Sequence, residues 1–329
     1  MGGPWAYKGD WQHGAGCSMN SAQQQELKRL CPTVRWQVDM AAYSTFRTGG
    51  TVEALVEVDD CVCLPELLRW LNTEKVPWQT LGGGSNILFT SGQHQGVFIR
   101  LQGGMGDIAW QHVHAEPGKS EQQLVDTGAG VSMALLLAWC LRAQLSGLEF
   151  MVGIPGSVGG AVCMNAGAFG GTISQRLFAV RCLNSRGELL DLPAAALDFQ
   201  YRRTVFPLAC TDKYIIVRVS VCMQPDTSEA IKGRMRELLA QRKAKQPVGV
   251  ASAGSFFKNP QGDYAGRLIE QAGLKGYACG QAVVSPRHGN FLVNRGGASP
   301  EDILALMRVV QERVYESSGI LLEPEVRIY

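Results

Sequence analysis

The sequence predicts an α+β protein whose two regions meet near residue 224. In the first region, strand-like alternation at 51–58 is followed by helical spacing of leucines at 64–73. Beyond residue 224 the composition shifts to charged amphipathic helices at 227–244 and 299–316. The 39 glycines are clustered, which is typical of tight turns and of backbone that approaches a ligand closely.

The elements of the first region follow from apolar periodicity and turn residues. The pattern predicts a short helix at 22–30, strands at 51–58, 78–81 and 87–89, a helix at 64–73, several strands between 96 and 128, an apolar helix at 132–144, a hairpin formed by 177–183 and 188–192, and a strand at 214–223. Ser132 is placed to cap the apolar helix.

The second region is predicted from its helix signals. Ser299 can cap the helix at 299–316, with Pro300 at its first position and acids in its first turn. The remaining elements are helices at 227–244 and 265–272 and strands at 288–294 and 323–329.

Composition excludes several classes of protein. Apolar residues make up 46% and charged residues 18%, as in globular proteins, and the net charge of +2 argues against a dedicated nucleic-acid or membrane-surface binder. No run of 18 apolar residues is present, so no membrane span is expected. The ten scattered cysteines form no C-x-x-C pair, which predicts free thiols and no metal site. Because residues 1–23 lack the layout of a signal peptide, we expect a cytoplasmic protein.

Two glycine-rich segments could contact a ligand. Gly82, Gly83 and Gly84 follow a predicted strand, where their N–H groups can form a nest for an anion, although a flexible turn is an equal alternative. A strand-like segment follows, so neither a dinucleotide fingerprint nor a Walker motif is present. The stretch 147–171 is apolar and nearly uncharged, which suits a flat ligand with a pyrophosphate, or else close packing of backbone on backbone.

Seven motifs carry a resemblance to a known family. They are STFRTGG (44–50), LGGGSNILF (81–89), GIPGSVGGAVCMNAGAFGG (153–171), YRRTVF (201–206), GSFFKNP (254–260), AGRLIEQAGLKG (265–276) and LEPEVRI (322–328). In this order they resemble the UDP-N-acetylenolpyruvoylglucosamine reductases, from about Ser44 to the last residue. The resemblance implies a two-part FAD-binding domain of the vanillyl-alcohol-oxidase type and a C-terminal α+β substrate-binding domain.

The resemblance also implies a division of the chain. Residues 1–30 would be a partly disordered extension, 31–90 and 91–223 the two FAD-binding subdomains, and 224–329 the substrate-binding domain, whose terminal strand returns to the active site. The implied non-covalent FAD contacts are Arg47, Thr48, Gly49, Gly82, Gly83, Gly84, Ser85, Asn86, Ile154, Gly156, Ser157, Gly160, Ala161, Asn165 and Gly167.

The implied reaction passes a hydride from NADPH to FAD and then to C3 of the substrate's enolpyruvyl group, which gives UDP-N-acetylmuramate for peptidoglycan synthesis. Arg202 resembles the arginine that binds the substrate carboxylate, a role that suits a planar guanidinium. Ser255 resembles the proton donor to C2, and Glu325 resembles the glutamate that supports it. Arg203 and Glu323 are the neighbouring alternatives.

The substrate would be a UDP-sugar, bound by one chain acting as a monomer. Its implied contacts are Tyr201, Lys245, Lys258, Asn259 and Arg327, with Gln271 and His288 as weaker candidates. The chain departs from the family pattern at Ser44, where Asn is usual. Arg202 and Ser255 are only 53 residues apart, which resembles the shorter type of family member without an inserted substrate lid. The sequence leaves the choice of NADPH over NADH open.

Two other functions are weighed against the reductase. A flavin oxidase of the same fold would not need GSFFKNP or the terminal Glu–Val–Arg, since both belong to the substrate region. A non-enzymatic flavin or nucleotide-sugar binder would not need Arg202, Ser255 and Glu325 together. The sequence therefore favours the reductase.

Overall fold

The computed structural model describes residues 18–59, 61–113, 122–207 and 213–329, and its α+β class is the predicted one. Its helices are α1 (Ser21–Leu30), α2 (Leu64–Thr73), α3 (Met133–Arg142), α4 (Val158–Cys163), α5 (Ser228–Lys245), α6 (Ala265–Gln271) and α7 (Pro300–Ser318).

The strands are mostly short. They are β1 (Arg35–Asp39), β2 (Thr51–Val58), β3 (Trp78–Leu81), β4 (Ile87–Leu88), β5 (Gln93–Leu101), β6 (Ile108–Val113), β7 (Gln122–Gly128), β8 (Leu145–Ser146), β9 (Gly167–Ala168), β10 (Gly171–Thr172), β11 (Leu177–Asn184), β12 (Leu189–Pro193), β13 (Asp198–Gln200), β14 (Arg203–Val205), β15 (Tyr214–Pro225), β16 (Ala278–Cys279), β17 (Ala282–Val284), β18 (Leu292–Asn294) and β19 (Arg327–Ile328).

The first sheet has the order β1-β2-β5-β3, with β5 parallel to both β2 and β3. Helix α2 connects β2 to β3 and buries the leucines at its helical spacing, Leu64, Leu67, Leu68 and Leu71, in the same cluster as Val97 and Ile99 of β5. Leu27 of α1 is fully buried in that cluster. The helix at the start of the described chain is therefore part of this core.

The second sheet is antiparallel, in the order β12-β11-β15-β7-β6, with β8 paired to the end of β15. Helices α3 and α4 bury their apolar residues in one cluster with β7, β11 and β15. Ser132 caps α3 by accepting a hydrogen bond from Leu135 N at 3.2 Å, as the sequence predicts.

The C-terminal region combines α6 and α7 with the sheet β16-β17-β18. Ser299 and Asp302 form a capping box at the start of α7. The last strand, β19, leaves this region and pairs in parallel with β4. Phe46 and Leu88 from the first region lie in the C-terminal core, so the two regions share a cluster of buried side chains.

Three sequence expectations need correction. The strand predicted at 323–329 forms only at Arg327–Ile328, and the one at 288–294 only at Leu292–Asn294. The glycine-rich stretch contains helix α4, which the sequence did not predict, since glycine in a helix costs about 1 kcal/mol relative to alanine. Burial of Val158, Ala161 and Val162 outweighs that cost.

The expected division of the chain also differs from the sheets. A boundary at residue 90 separates β5 from its partners, because β5 lies between β2 and β3. Residues 1–17 of the expected N-terminal extension lie outside the described residues, whereas α1 packs against the first sheet. Among the described helices, none is long and apolar enough to cross a membrane.

Candidate active site

Two glycine-rich loops touch at the centre of the site. The first, Gly82–Asn86, connects β3 to β4, and the second, residues 153–157, leads into α4. A Cβ at Gly83 would lie 2.7 Å from the Cα of Gly156, and a Cβ at Gly84, whose φ is +66°, would lie 1.8 Å from the carbonyl oxygen of Tyr43. Only glycine permits these approaches, so the loops form a cradle of bare backbone.

Hydrogen bonds hold the cradle together. Ser85 Oγ donates to the carbonyl of Pro155 at 3.1 Å, and Thr45 N donates to the carbonyl of Gly84 at 3.0 Å. Ser157 caps α4 by accepting from Gly160 N at 3.2 Å. A rigid, nearly side-chain-free surface with backbone donors suits a flat cofactor that carries a pyrophosphate, and therefore fits FAD.

The predicted cofactor residues occupy distinct positions around this cradle. Gly82, Gly83, Gly84, Ser85, Gly156, Ser157 and Gly160 meet there. Thr48 is buried next to the exposed Arg47, and the Cβ of a residue at position 49 would touch Phe89. Ala161 is buried in the core, and Ile154 packs partly against it.

Asn86 and Asn165 connect the cradle to the rest of the site. Asn86 Nδ2 donates to the carbonyl of Glu325 at 3.0 Å. Asn165 is buried, and its Nδ2 donates to the carbonyl of Gln200 at 3.1 Å. These bonds join the cofactor loops to the terminal segment and to the loop that carries Arg202.

A cavity of about 150 Å³ opens beside the cradle. It is lined by Ala42, Tyr43, Ser44, Thr45, Gly82, Gly83 and Arg100. A larger cavity of about 310 Å³ lies on the second sheet, between strands β6, β7, β11, β12 and β15, and none of its lining residues belongs to the cradle. We assign the smaller cavity to the site because its walls include the glycine loop.

Arg202 and Glu325 form an ion pair at one end of the cradle. Arg202 Nε lies 3.0 Å from Glu325 Oε1, but the N–H does not point at the carboxylate. Arg202 Nη1 donates to the carbonyl of Gly167 at 3.2 Å, and the guanidinium lies 5.3 Å from the centre of the Tyr201 ring. Arg202 has a φ of +59°, a strained conformation for a residue with a side chain and one that clusters at functional sites.

Burial raises the pKa of the Glu325 carboxyl, although the charges of Arg202 and Lys258 oppose that rise. The backbone fixes its position, because Glu325 N donates to the carbonyl of Phe256 at 2.8 Å. Ser255 directly precedes Phe256 and is half-buried. Backbone hydrogen bonds thus connect the GSFFKNP segment to the segment that carries Glu325.

The neighbouring alternatives are separated by burial. Glu323 is 69% exposed and pairs with Lys258, whereas Glu325 is only 13% exposed and pairs with Arg202. Arg203 is exposed on β14. The less exposed pair is therefore Arg202 with Glu325.

The predicted substrate residues are only partly brought together. Asn259 N donates to Tyr201 Oη at 3.4 Å, and its Oδ1 accepts from Ala265 N at 3.1 Å. Lys245 is exposed at the end of α5, and Arg327 is half-buried in β19. Sequence reasoning missed Arg242, whose side chain contacts the residue before the second loop, because it lies in a run of cations on α5.

No group of three metal-ligating side chains is present in the described part of the chain. Cys140, Cys163, Cys222 and Cys279 lie in that part as free thiols.

Comparison with known proteins relates this arrangement to one family. A family model described as the C-terminal domain of UDP-N-acetylenolpyruvoylglucosamine reductase matches residues 246–329, and one described as an FAD binding domain matches residues 52–193. The reductase of that name from Syntrophus aciditrophicus is 40% identical over 287 residues, 87% of this chain and 88% of its own length. The one from Desulfosudis oleivorans is 40% identical over 299 residues, covering 90% and 94% of the two chains.

A solved structure extends the comparison to three dimensions. The crystal structure of UDP-N-acetylenolpyruvylglucosamine reductase from Thermus caldophilus aligns with a TM-score of 0.74 at 35% identity. The alignment covers 90% of this chain and 99% of that one.

Proposed function

Because the chain belongs to the UDP-N-acetylenolpyruvoylglucosamine reductase family, we propose that it catalyses the NADPH-dependent reduction of UDP-N-acetylglucosamine enolpyruvate to UDP-N-acetylmuramate. The protein is an FAD-dependent oxidoreductase of that family. The observation that carries the proposed reaction is the half-buried Arg202–Glu325 pair beside Ser255, at one end of the glycine cradle.

The cradle residues hold the cofactor through backbone N–H groups. FAD, when bound, supplies a carrier that accepts two electrons from NADPH and returns them to the substrate. The glycines at 82–84 and 156 allow the backbone to approach it, and Ser85 and Ser157 brace the two loops. In our proposal, NADPH and the sugar nucleotide use the same open end of the cradle in turn.

Arg202 binds the substrate carboxylate in the proposed reaction. Its guanidinium is half-buried and held in place by the Gly167 carbonyl and the Tyr201 ring. Addition of a hydride to C3 of the enolpyruvyl group leaves negative charge at C2 and the adjacent carboxylate. A fixed cation at that carboxylate stabilises the charge as it develops.

Ser255 and Glu325 complete the addition. The Ser255 hydroxyl donates a proton to C2, so that one hydride and one proton add across the double bond. The raised pKa of Glu325 favours its neutral form, which can return a proton to the serine oxygen directly or through a water molecule. Lys258, Asn259, Lys245 and Arg327 supply candidate contacts for the diphosphate and uridine.

We place the boundaries of the proposed domains by the sheets. The first FAD-binding subdomain extends to Leu101, the second spans 102–223, and the substrate-binding domain begins at 224. Arg202, Ser255 and Glu325 all come from one chain. A monomer is therefore sufficient for the reaction, which light scattering during turnover would check.

The decisive experiment follows the visible spectrum under anaerobic conditions. The flavin bands should bleach on addition of NADPH and return when the enolpyruvyl sugar nucleotide is added. In Ser255→Ala, bleaching should proceed at the normal rate while the return slows. Recovery of the bands only after air is admitted would indicate an oxidase, and an equally fast return in Ser255→Ala would remove the serine from the mechanism.

A further inference from the structure

A half-buried cation on α5 reaches the flavin-binding region. Arg242 Nε donates to the carbonyl of Val152 at 3.1 Å, and Nη1 donates to Gln246 Oε1 at 3.2 Å. Its guanidinium lies 5.3 Å from the centre of the Phe169 ring. The side chain thus connects the C-terminal region to two segments of the FAD-binding domain.

The charge of Arg242 is not neutralised by its described neighbours. Its Nη2 is buried and has no hydrogen-bond partner among the described residues, and no ion pair to it occurs there. Burial lowers the pKa of its guanidinium. Arg234, eight residues earlier on the same helix, pairs instead with both Glu149 and Asp226. A buried guanidinium nitrogen without a partner is costly, so an anion at this position would be favoured.

The contacts of Arg242 place it beside the second cradle loop and beside the hairpin that binds Arg202. Val152 precedes Gly153, where an added Cβ would lie 3.0 Å from Arg242 Cδ, and the cradle loop follows at once. Phe169 lies two residues beyond Gly167, the residue whose carbonyl binds Arg202. The two arginines therefore contact the same short hairpin, but the charge of Arg202 is opposed by Glu325 and that of Arg242 by no carboxylate of the described chain.

We propose that Arg242 supplies the positive charge that stabilises the reduced form of the bound flavin. The proposal rests on the proposed function, because it requires FAD in the cradle. A neutral flavin ring that accepts a hydride from NADPH gains one negative charge, while NADPH loses a hydride and becomes the oxidised nicotinamide. A cation near the ring therefore binds reduced FAD more tightly than oxidised FAD and raises the reduction potential.

A phosphate is the alternative anion for Arg242. The charge of a phosphate does not change when the flavin is reduced, so a cation beside it favours both redox states equally. Arg242 contacts the hairpin that Arg202 also contacts, whereas the cavity lined by Tyr43 and Arg100 lies at Gly82–Gly83. The position of Arg242 therefore favours the flavin ring over a phosphate as the anion that its guanidinium contacts.

The test compares the reduction potential of bound FAD in Arg242→Gln, Arg242→Lys and the exposed control Lys243→Gln, by anaerobic equilibration with redox dyes. We expect Arg242→Gln to bind reduced FAD about tenfold less tightly relative to oxidised FAD, which lowers the potential by about 30 mV. Arg242→Lys should retain part of the effect, and Lys243→Gln should leave the potential unchanged.

Two further measurements keep the outcome decisive. Quenching of flavin fluorescence by the apoprotein gives the affinity for oxidised FAD, and the measured potential then gives the affinity for reduced FAD. If Arg242→Gln lost affinity equally for both redox states, the proposal would be overturned in favour of a phosphate contact. In the wild-type protein, reduced FAD should keep the spectrum of its anionic form to a lower pH than free reduced FAD, and an unshifted transition would also overturn it. Failure of the wild-type protein to bind FAD would instead reject the proposed function.

Discussion

A methyl group added at Gly83 tests whether contact between the two glycine loops forms the flavin site. The Cβ of Gly83→Ala would lie 2.7 Å from the Cα of Gly156, with further backbone atoms at 3.2 and 3.3 Å. The loops must then separate by roughly 0.7 Å or more to restore ordinary van der Waals distances. Gly83 does not have a positive φ, so the cost of alanine is steric and not conformational.

The size of the effect follows from the cost of overpacking. An extra methyl in a close contact costs about 1–3 kcal/mol. If the loops separate, that cost falls on the cradle, and the affinity for FAD should drop about five- to hundredfold. The melting temperature of the apoprotein should fall by at most a few degrees, because Gly83 lies in an exposed loop.

Gly233→Ala provides the matched control. Gly233 lies on the exposed side of α5, and a Cβ there would meet no atom within 4 Å. Alanine is favoured over glycine in a helix by about 1 kcal/mol, so this variant should be slightly more stable and bind FAD normally. Titration of each apoprotein with FAD, followed by flavin fluorescence, measures the affinities. A Gly83→Ala protein that binds FAD within twofold of the wild type would refute the view that contact between the loops forms the site.

Three further predictions concern the acid, the arginine and the longest helix. Burial raises the folded pKa of Glu325 above its ordinary value of about 4.3, so its contribution to stability is fully present below that value and is lost as pH rises through the folded pKa. The melting temperature of Glu325→Gln should therefore increase relative to that of the wild type as the pH is raised from 4 to 8. A difference in melting temperature that stays constant over this range would contradict the prediction. Arg202→Lys keeps the charge but loses the guanidinium's directed contacts, so kcat/KM should fall about ten- to hundredfold while the exposed Arg203→Lys stays within twofold, as steady-state assays would show. Ser299→Ala removes the cap of α7 and should lower the free energy of unfolding by about 1 kcal/mol in urea titrations, whereas an unchanged midpoint would mean that the cap contributes nothing.

The elements that the sequence predicted best are those with a strong local pattern. Helix α2 is apparent from its leucine spacing and α7 from its Ser–Pro–acid start, because each signal lies within a few residues. Helix α4 was missed because its stability comes from burial of Val158 and Val162 and not from propensity. The boundary expected at residue 90 does not follow the first sheet, because the pairing of β5 with β2 is parallel and non-local, which alternation within one strand cannot show.

In the candidate site, too, local motifs were visible in the sequence and non-local contacts were not. Motif resemblance singled out Arg202, Ser255 and Glu325 as candidates, and the Glu–Val–Arg register favoured Glu325 over Glu323. The fold adds that Glu325 is much less exposed than Glu323. Arg242 could not be singled out, since a half-buried guanidinium without a carboxylate looks in sequence like any cation on an exposed helix. Its environment arises from contacts to Val152 and Phe169, about 90 and 70 residues away.

The short pairing of β19 with β4 explains how the cofactor loop and the acid are held in register. Arg327 pairs with Ile87, the residue that follows Asn86, and Arg327 N donates to the Asn86 carbonyl at 3.0 Å. Asn86 Nδ2 in turn donates to the carbonyl of Glu325 at 3.0 Å. Glu325 is thus fixed from two sides, by the cofactor loop and by Phe256 next to Ser255. A displacement of the glycine loop therefore moves the acid and changes its distance from the serine, so that cofactor binding and proton delivery depend on one hydrogen-bonded unit.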